Sequence, residues 1–214
     1  MHPNIQDAIK YYENDERIIA VVADGLGSKR HSAYGARLIC RLISEEMKSV
    51  VLPIESFKIK SVDFWYSCLK NKGANIDEYC TTCSFAVIEK NRRMIGVGQI
   101  GDSPIYARID TQDVITLRQE KVFSNITACL GENEKQMFAV RNYSFSSNFN
   151  LLVSSDGLGD ELNTQNMDSM FSYLSDKYEN YKPKSRSRKF TKEIKSTIGK
   201  VNNDDKSAIY IWSK

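Results

Sequence analysis

Five aspartates stand where a predicted strand begins or ends: Asp7, Asp24, Asp102, Asp156 and Asp204. Asp24 and Asp156 each follow an apolar run and precede a glycine, so the strand ends there and the carboxylate is left accessible. Acids at the ends of several strands can meet at one place in a folded protein. Because buried like charges are costly unless cations neutralise them, convergence of these acids predicts bound metal ions.

The ligand types indicate which metal is expected. Carboxylates offer oxygen, which suits Mg²⁺ or Mn²⁺, whereas zinc normally binds His or Cys. The chain has two histidines, His2 and His31, and neither stands at the spacing of a zinc motif. The sequence therefore predicts Mn²⁺ or Mg²⁺ as the cofactor.

Other hydrolytic chemistries fit the sequence less well. A serine nucleophile needs a histidine and an acid as partners, and two histidines give it little choice. Phosphatases that form an aspartyl-phosphate carry Asp-x-Asp at a strand end, but Gly and Leu follow Asp24. The five cysteines are scattered and odd in number, so we expect them to be reduced, and we interpret Cys80 and Cys83 as structural rather than as half of a zinc or redox site.

Apolar runs and helical periodicity predict the elements that position the aspartates. We expect strands at residues 17–23, 83–88, 94–100, 105–109, 114–117, 149–153 and 207–212. Helices are expected at residues 31–51, 61–72, 166–178 and 190–198. This order predicts an α+β fold with mostly antiparallel strand pairing rather than alternating βαβ units.

Composition limits the classes of partner. A chain of 214 residues with a net charge of +3 fits one domain, residues 1–214, and gives no sign of nucleic acid as the main partner. The sequence has neither a membrane-spanning apolar run nor a signal peptide, so we expect a cytoplasmic protein that does not bind membranes. Residues 182–189 are rich in Lys, Arg and Ser. We interpret them as a solvated loop, with a docking patch for an acidic partner as the alternative.

Short motifs occur in a fixed order along nearly the whole chain. They are Gln-Asp-Ala at 6–8, Ala-Asp-Gly-Leu-Gly at 23–27, Thr-Thr at 81–82, Gly-Asp-Ser at 101–103, Ile-Thr-Ala-Cys-Leu-Gly at 126–131, Ser-Asp-Gly-Leu at 155–158 and Asp-Asp-Lys-Ser at 204–207. Each is weak alone, but their order resembles that of the metal-dependent type 2C serine/threonine protein phosphatases. The resemblance implies a four-layer α-β-β-α sandwich, two antiparallel sheets flanked by helices, with a two-metal centre in a cleft at one end.

The resemblance also implies a role for each acid. Asp24 would bridge both metals, while Asp156 and Asp204 would hold the first metal. Gly25 would add its backbone oxygen to the second metal, which Asp7 would support through water. Asp102, with Asp156, would hold a third and weaker metal. Asp205 is the alternative to Asp204 if the register is off by one.

The reaction implied is hydrolysis of phosphoserine or phosphothreonine on proteins by a water that bridges two divalent ions, without a protein nucleophile. The expected partner is a phosphorylated protein, either a cognate serine/threonine kinase or that kinase's target, and the expected state is a monomer. The alternative function is that of a weak or inactive relative that binds phosphoproteins as a regulatory module. The retained acids favour the enzyme, because a module without catalysis would have no electrostatic reason to keep them.

The chain departs from the family pattern at several positions. Many members carry an Arg five residues before the first acid, where this chain has His2. We expect Lys29 or Arg30 to bind the substrate phosphate instead, against the alternative of a solvated helix start. Cys80 and Pro104 replace a usual Gly and a usual Arg, which bears on substrate preference more than on metal binding. The substrate-selecting flap predicted at residues 110–128 is small.

Overall fold

The larger of two antiparallel sheets is built from the first four strands and the seventh. The computed structural model describes residues 5–118, 128–131, 137–197, 199 and 204–213. Within these residues the strand order of this sheet is β1-β2-β3-β4-β7. The strands are β1 (Ala8–Glu13), β2 (Arg17–Ala23), β3 (Cys83–Glu89), β4 (Met94–Ile100) and β7 (Ala139–Ser144). The continuous burial of β2, β3 and β4 explains their nearly unbroken apolar sequences.

The smaller sheet has four strands in the order β6-β5-β8-β9. Its members are β5 (Ile105–Ile109), β6 (Ile115–Leu117), β8 (Phe149–Ser154) and β9 (Ala208–Ser213). All pairings in both sheets are antiparallel. The strand β8 is buried along its whole length, as its apolar sequence predicts.

Helices cover the outer face of each sheet. On the larger sheet lie α1 (Ser32–Glu46) and α2 (Ser61–Lys70), packed over a core that includes Trp65 and Phe85. On the smaller sheet lie α4 (Met167–Glu179) and α5 (Pro183–Thr197), which follow the single helical turn α3 (Asp156–Gly159). Between the sheets, aliphatic side chains such as Val22 and Leu151 form a second core. The layers are helix, sheet, sheet and helix, so the predicted four-layer sandwich is confirmed.

The structure differs from the sequence prediction at two strands, at the one-turn helix α3, at the end of α1 and at the start of α5. The sequence signal for β1 and β7 is weak because both are edge strands with partly exposed, mixed residues. The prediction of a loop at residues 182–189 is wrong, because α5 begins at Pro183. Proline is compatible with the first helical turn, where its missing N–H would have no helical partner.

The Asp-Gly pairs after β2 and β8 mark strand ends rather than hairpins. Ser155 is extended, with φ −72° and ψ 165°, and Asp156 begins the one-turn helix α3. β1 pairs antiparallel with β2, and β9 with β8. The start of β1 therefore lies beside the end of β2, and the start of β9 lies beside the end of β8. This topology places Asp7 beside Asp24, and Asp204 near Asp156.

No helix in the described part of the chain is both long and apolar enough to cross a membrane.

The contact between α1 and the loop before β3 depends on a glycine. A Cβ atom added at Gly35 would lie 2.0 Å from the carbonyl oxygen of Tyr79, and the Gly35 carbonyl accepts a hydrogen bond from Trp65 Nε1 at 3.0 Å. We expect Gly35→Ala to lower the free energy of unfolding by about 1–3 kcal/mol, because backbone must move to admit the methyl group. Urea unfolding measures this loss. Gly27→Ala is the matched control, since its Cβ would meet Gln6 Oε1 at an ordinary 3.5 Å; equal stability of the two variants would contradict the prediction.

Candidate functional site

The first two acids of the site come from the β1–β2 pair. Ala8 is the register partner of Ala23, so Asp7 and Asp24 follow as neighbours at the same end of the sheet. The Asp24 carbonyl oxygen accepts hydrogen bonds from the Thr82 backbone N–H and from Thr81 Oγ1, both at 2.8 Å. These bonds tie the chain after β2 to the start of β3 and hold Asp24 in place.

Asp7 is a buried acid whose carboxylate lacks hydrogen bonds. Asp7 is 8% exposed, and neither of its carboxylate oxygens has a hydrogen-bond partner among the described residues. Burial raises the pKa of Asp7. The side chains of Asp24, Ser155 and Ser207 lie near enough to oppose that shift, but none makes a well-formed hydrogen bond to the carboxylate.

Asp24 carries the largest electrostatic perturbation at the site. Burial raises the pKa of Asp24 to about 11, and the neighbouring carboxylates of Asp156 and Asp7 add to this rise. The Oδ1 atom of Asp156 is itself buried without a hydrogen-bond partner among the described residues. Without a cation, Asp7 and Asp24 favour protonated forms, because both are desolvated and lie beside other carboxylates.

Asp204 and Asp205 are neighbours in sequence but make different contacts. Asp205 Oδ2 accepts a hydrogen bond from the Gln6 backbone N–H at 2.7 Å, which ties the chain before β1 to the chain before β9. Burial and the nearby Asp156 raise the pKa of Asp204. A Cβ atom at Gly157 would lie 3.0 Å from Asp204 Cβ, so Asp204 sits directly against the turn that begins at Asp156. Asp205 also lies close enough to Asp7 to raise its pKa, so both acids adjoin the site, and Asp204 as the ligand stays a prediction.

The two Asp-Gly glycines allow close packing around the acids. A Cβ atom at Gly25 would lie 2.7 Å from the carbonyl carbon of Ser32 at the start of α1, and one at Gly157 would lie 2.2 Å from the Asp205 carbonyl oxygen. Gly25 also forms an isolated β-bridge with Thr81. Any larger residue at either position would push apart the segments that carry the acids.

Asp102 lies in a separate buried turn. It follows Gly101, whose φ is +98°, and is 3% exposed. Ser103 Oγ lies 2.8 Å from Thr82 Oγ1, which joins this turn to the chain that holds Asp24. Asp102 is not among the groups that most shift the pKa of Asp7, Asp24 or Asp204. Electrostatic contacts thus link Asp7, Asp24, Asp156 and Asp204 to one another, and the Ser103–Thr82 contact links the turn of Asp102 to the segment that holds Asp24.

Two of the three expected phosphate-binding residues, Lys29 and Arg30, contact the segment at residues 76–79. His2 lies outside the described residues. Lys29 Nζ forms an ion pair with Asp77 Oδ2 at 2.6 Å, and Arg30 is exposed while its backbone N–H donates to Glu78 Oε2 at 3.1 Å. Residues 119–127 of the predicted flap also lie outside the described residues.

Three polar residues that support the acids were quoted in the sequence motifs without a role. Ser155 Oγ accepts a hydrogen bond from the Ser207 N–H at 3.1 Å, and Gln6 Nε2 donates to Ser32 Oγ at 3.0 Å. Their places in the sequence could have identified these three residues, Gln6, Ser155 and Ser207, because each directly precedes or closely follows a site aspartate. Their bonds connect β1, β8, β9 and α1 around the site.

The donor set fits hard divalent cations in type. The candidate ligands are oxygens, and three carboxylate oxygens, two on Asp7 and one on Asp156, are buried without hydrogen bonds. Within the described residues, however, no three His, Cys, Asp or Glu side chains form a group that could hold a metal ion by themselves. The acids form a row in which Asp24 lies between Asp7 and Asp156. A bound ion would therefore need further oxygen ligands, such as a backbone carbonyl or water.

Solved structures share this fold. RsbX in complex with magnesium matches with a TM-score of 0.64 and 16% identity, over 98% of this chain and 87% of that one. The catalytic domain of the phosphatase PstP with two manganese ions matches with a TM-score of 0.67 and 14% identity, over 100% of this chain and 93% of that one. The phosphatase domain of SpoIIE from Bacillus subtilis gives 0.59 and 15%, over 98% and 58%. No curated protein sequence matches the chain.

The sequence profile of protein phosphatase 2C matches residues 3–195 of the 214. This range includes all the acids discussed except Asp204 and Asp205, which stand at the start of the last strand. The match spans most of the chain and agrees with the sandwich fold. The chain belongs to the protein phosphatase 2C family.

Proposed function

We propose that this protein hydrolyses phosphoserine or phosphothreonine on protein substrates with the help of divalent metal ions. The observation that carries the proposal is the row of acids at one end of the sandwich, in which both carboxylate oxygens of Asp7 and one of Asp156 are buried without a hydrogen-bond partner among the described residues. Family membership supports phosphatase chemistry in general. The acids of this chain support the metal-dependent form of it.

The electrostatic cost of the row argues for cations. Desolvation and mutual repulsion both disfavour ionised carboxylates at Asp7, Asp24 and Asp204. A buried charge is tolerated only when it is paired or coordinates a metal. Among the described ion pairs, none joins a Lys or Arg to Asp7 or Asp24. Divalent cations are therefore the counter-charge that the site favours.

The residues would share the ions as the family resemblance implies. Asp24, in the middle of the row, would contact two ions. Asp156 and Asp204 would hold the first, and the Gly25 carbonyl would serve the second with support from Asp7. Asp102 stays a proposed ligand of a third, weaker ion. Mg²⁺ and Mn²⁺ both suit these oxygens, and RsbX and PstP are solved with magnesium and manganese respectively.

The chemistry needs no nucleophile from the chain. When bound, the ions supply an activated water and neutralise charge on the phosphoryl oxygens. The chain's own contribution is to hold the carboxylates in place, through the Asp205–Gln6 and Ser155–Ser207 hydrogen bonds and the Thr81 and Thr82 bonds to Asp24. All five cysteines are free, which fits both a mechanism without thiols and the proposed cytoplasmic location. The proposed substrate is a phosphorylated kinase or its target.

We expect hydrolysis of a phosphothreonine peptide to require Mn²⁺ or Mg²⁺ and to stop in EDTA. Asp24→Asn should lower kcat/KM by about 100-fold or more, because it removes a charge from the centre of the row. Initial rates with the peptide and with p-nitrophenyl phosphate measure this. The control is Asp168→Asn, which removes an exposed acid paired with Arg108 and should leave activity unchanged. Absence of activity in any metal, with the fold intact, would favour the phosphoprotein-binding module instead.

Metal binding should also be visible without activity. We expect Mn²⁺ to raise the melting temperature of the wild type by about 5 °C, since a ligand of the folded state stabilises it. In EDTA, Asp24→Asn should be more stable than the wild type by about 1 kcal/mol or more, because a carboxyl with a strongly raised pKa becomes a neutral amide. Calorimetry with and without Mn²⁺ measures both. An equal Mn²⁺ shift in Asp24→Asn would refute the proposed role of Asp24.

Phosphate binding by Lys29 or Arg30 stays a prediction. We expect Lys29→Ala or Arg30→Ala to raise KM for the phosphopeptide about three- to tenfold at unchanged kcat, because the change removes a cation that binds substrate before and during reaction. Steady-state kinetics of each variant separate the two cations. Asp77→Asn is the informative companion, because it frees the Lys29 ammonium from its ion pair. If KM stays constant in all three variants, neither residue binds phosphate.

A further inference from the structure

A groove runs along the side of the sandwich, away from the row of acids. It has a volume of about 490 Å³ and lies between β1, β9 and α5. Its walls include Ile9 and Tyr11 on β1 and Trp212 on β9. Both strands are sheet edges, since β1 pairs only with β2 and β9 only with β8 among the described strands.

The groove exists because the two sheets differ in width. Ile9 and Tyr11 are register partners of Val22 and Ala20, which belong to the core between the sheets. They therefore point towards the smaller sheet. With four strands against five, that sheet ends at β9 and leaves Ile9 55% and Tyr11 49% exposed. One more strand beside β9 would cover them.

The free edge of β9 lacks the usual protection against pairing. Natural edge strands are commonly blocked by charged residues, proline or bulges. The sequence of β9, Ala-Ile-Tyr-Ile-Trp-Ser, contains neither a charge nor a proline. Tyr210 and Trp212 stack with ring centroids 5.1 Å apart, which stiffens the strand along its outer face. An unpaired, apolar edge of this kind is suited to accept a further strand.

We propose that this groove binds an extended, acidic segment of a partner protein, which pairs with the edge of β9 and covers Ile9 and Tyr11. The segment adds a fifth strand to the smaller sheet. Its inward side chains are apolar, because they meet the exposed β1 residues. Its outward side chains are acidic, because they meet α5. The proposal does not depend on the proposed phosphatase activity.

Charge indicates the chemistry of the partner. The helix α5 carries six basic residues and one acidic residue. Arg186 lines the groove with its guanidinium 5.1 Å from the centre of the Trp212 ring. The guanidinium donates hydrogen bonds to the carbonyl oxygens of Tyr181 and Glu179, and none of the described ion pairs includes it. At the far end, Glu13 is already neutralised by Lys90 at 2.9 Å. The outer rim of the groove is thus basic and attracts acidic side chains.

The same charge disfavours a second copy of this chain as the occupant. If two copies paired through their β9 edges about a two-fold axis, the two α5 helices would lie on the same joined sheet. Each would bring its net charge of +5 towards the other. Like-charge juxtaposition across an interface is costly, so an acidic partner fits better.

The probe for the test is a fluorescent peptide of alternating valine and glutamate, about eight residues long, within the usual length of a strand. Fluorescence anisotropy against the full chain measures its affinity. We expect saturable binding that falls about three- to tenfold in Arg186→Glu and in Ile9→Lys, since these change the charge or the apolar wall. The matched control is Lys70→Glu, which reverses an exposed charge on α2 over the other sheet and should bind as the wild type does.

Two modified probes separate strand pairing from simple charge attraction. A peptide N-methylated at every residue has no backbone N–H to donate from either edge, so it cannot pair as a strand, and we expect it to lose binding. A valine–lysine peptide should bind far more weakly than the valine–glutamate peptide. Lack of saturable binding, or equal affinity for either modified probe, would overturn the proposal. Sedimentation that shows a dimer broken by Ile9→Lys would overturn it too, because the occupant would then be a second copy.

Discussion

The rest of the structure must hold together a group of carboxylates that repel one another. Asp7, Asp24 and Asp156 lie in a row at one end of the sandwich, where burial disfavours charge on Asp7 and Asp24. Both carboxylate oxygens of Asp7 and one of Asp156 have no hydrogen-bond partner among the described residues. Such a group would move apart or take up water if its supports were loose. The supports are instead the fully buried strands β2 and β8 and the core between the sheets. Apolar burial thus provides the free energy that keeps the acids together.

Antiparallel topology makes this possible with few residues. In the β1–β2 pair and in the β8–β9 pair, the start of one strand lies beside the end of the other. Four acids that are distant in sequence therefore become neighbours. The small residues next to them then set how closely they approach. Gly25 and Gly157 allow the backbone of α1 and of the chain before β9 to pack where a methyl group would clash. A turn residue in the sequence is therefore a packing constraint in the structure.

The sequence predicts most of this arrangement and misses the parts that depend on edges and register. Continuous apolar runs identify β2, β3, β4 and β8 because those strands are buried on both faces. The apolar pattern does not predict the edge strand β1, because polar and charged residues interrupt its sequence. Asp204 and Asp205 are indistinguishable by type and adjacent in sequence. The structure shows only that their contacts differ, because Asp205 accepts a hydrogen bond from the Gln6 N–H while Asp204 lies against Gly157.

The two proposed activities use different parts of the same strands. β1 and β9 begin next to Asp7 and after Asp204, and their free edges line the side groove. Chemistry at strand ends needs carboxylates fixed by the core, whereas recognition at strand edges needs backbone groups left unpaired. The unequal widths of the sheets satisfy both needs. The central strands of each sheet are paired and buried, and only the outer strands β1 and β9 leave an exposed edge at the groove. A site at the ends and a groove along the side therefore follow from a single feature, a five-stranded sheet packed on a four-stranded one.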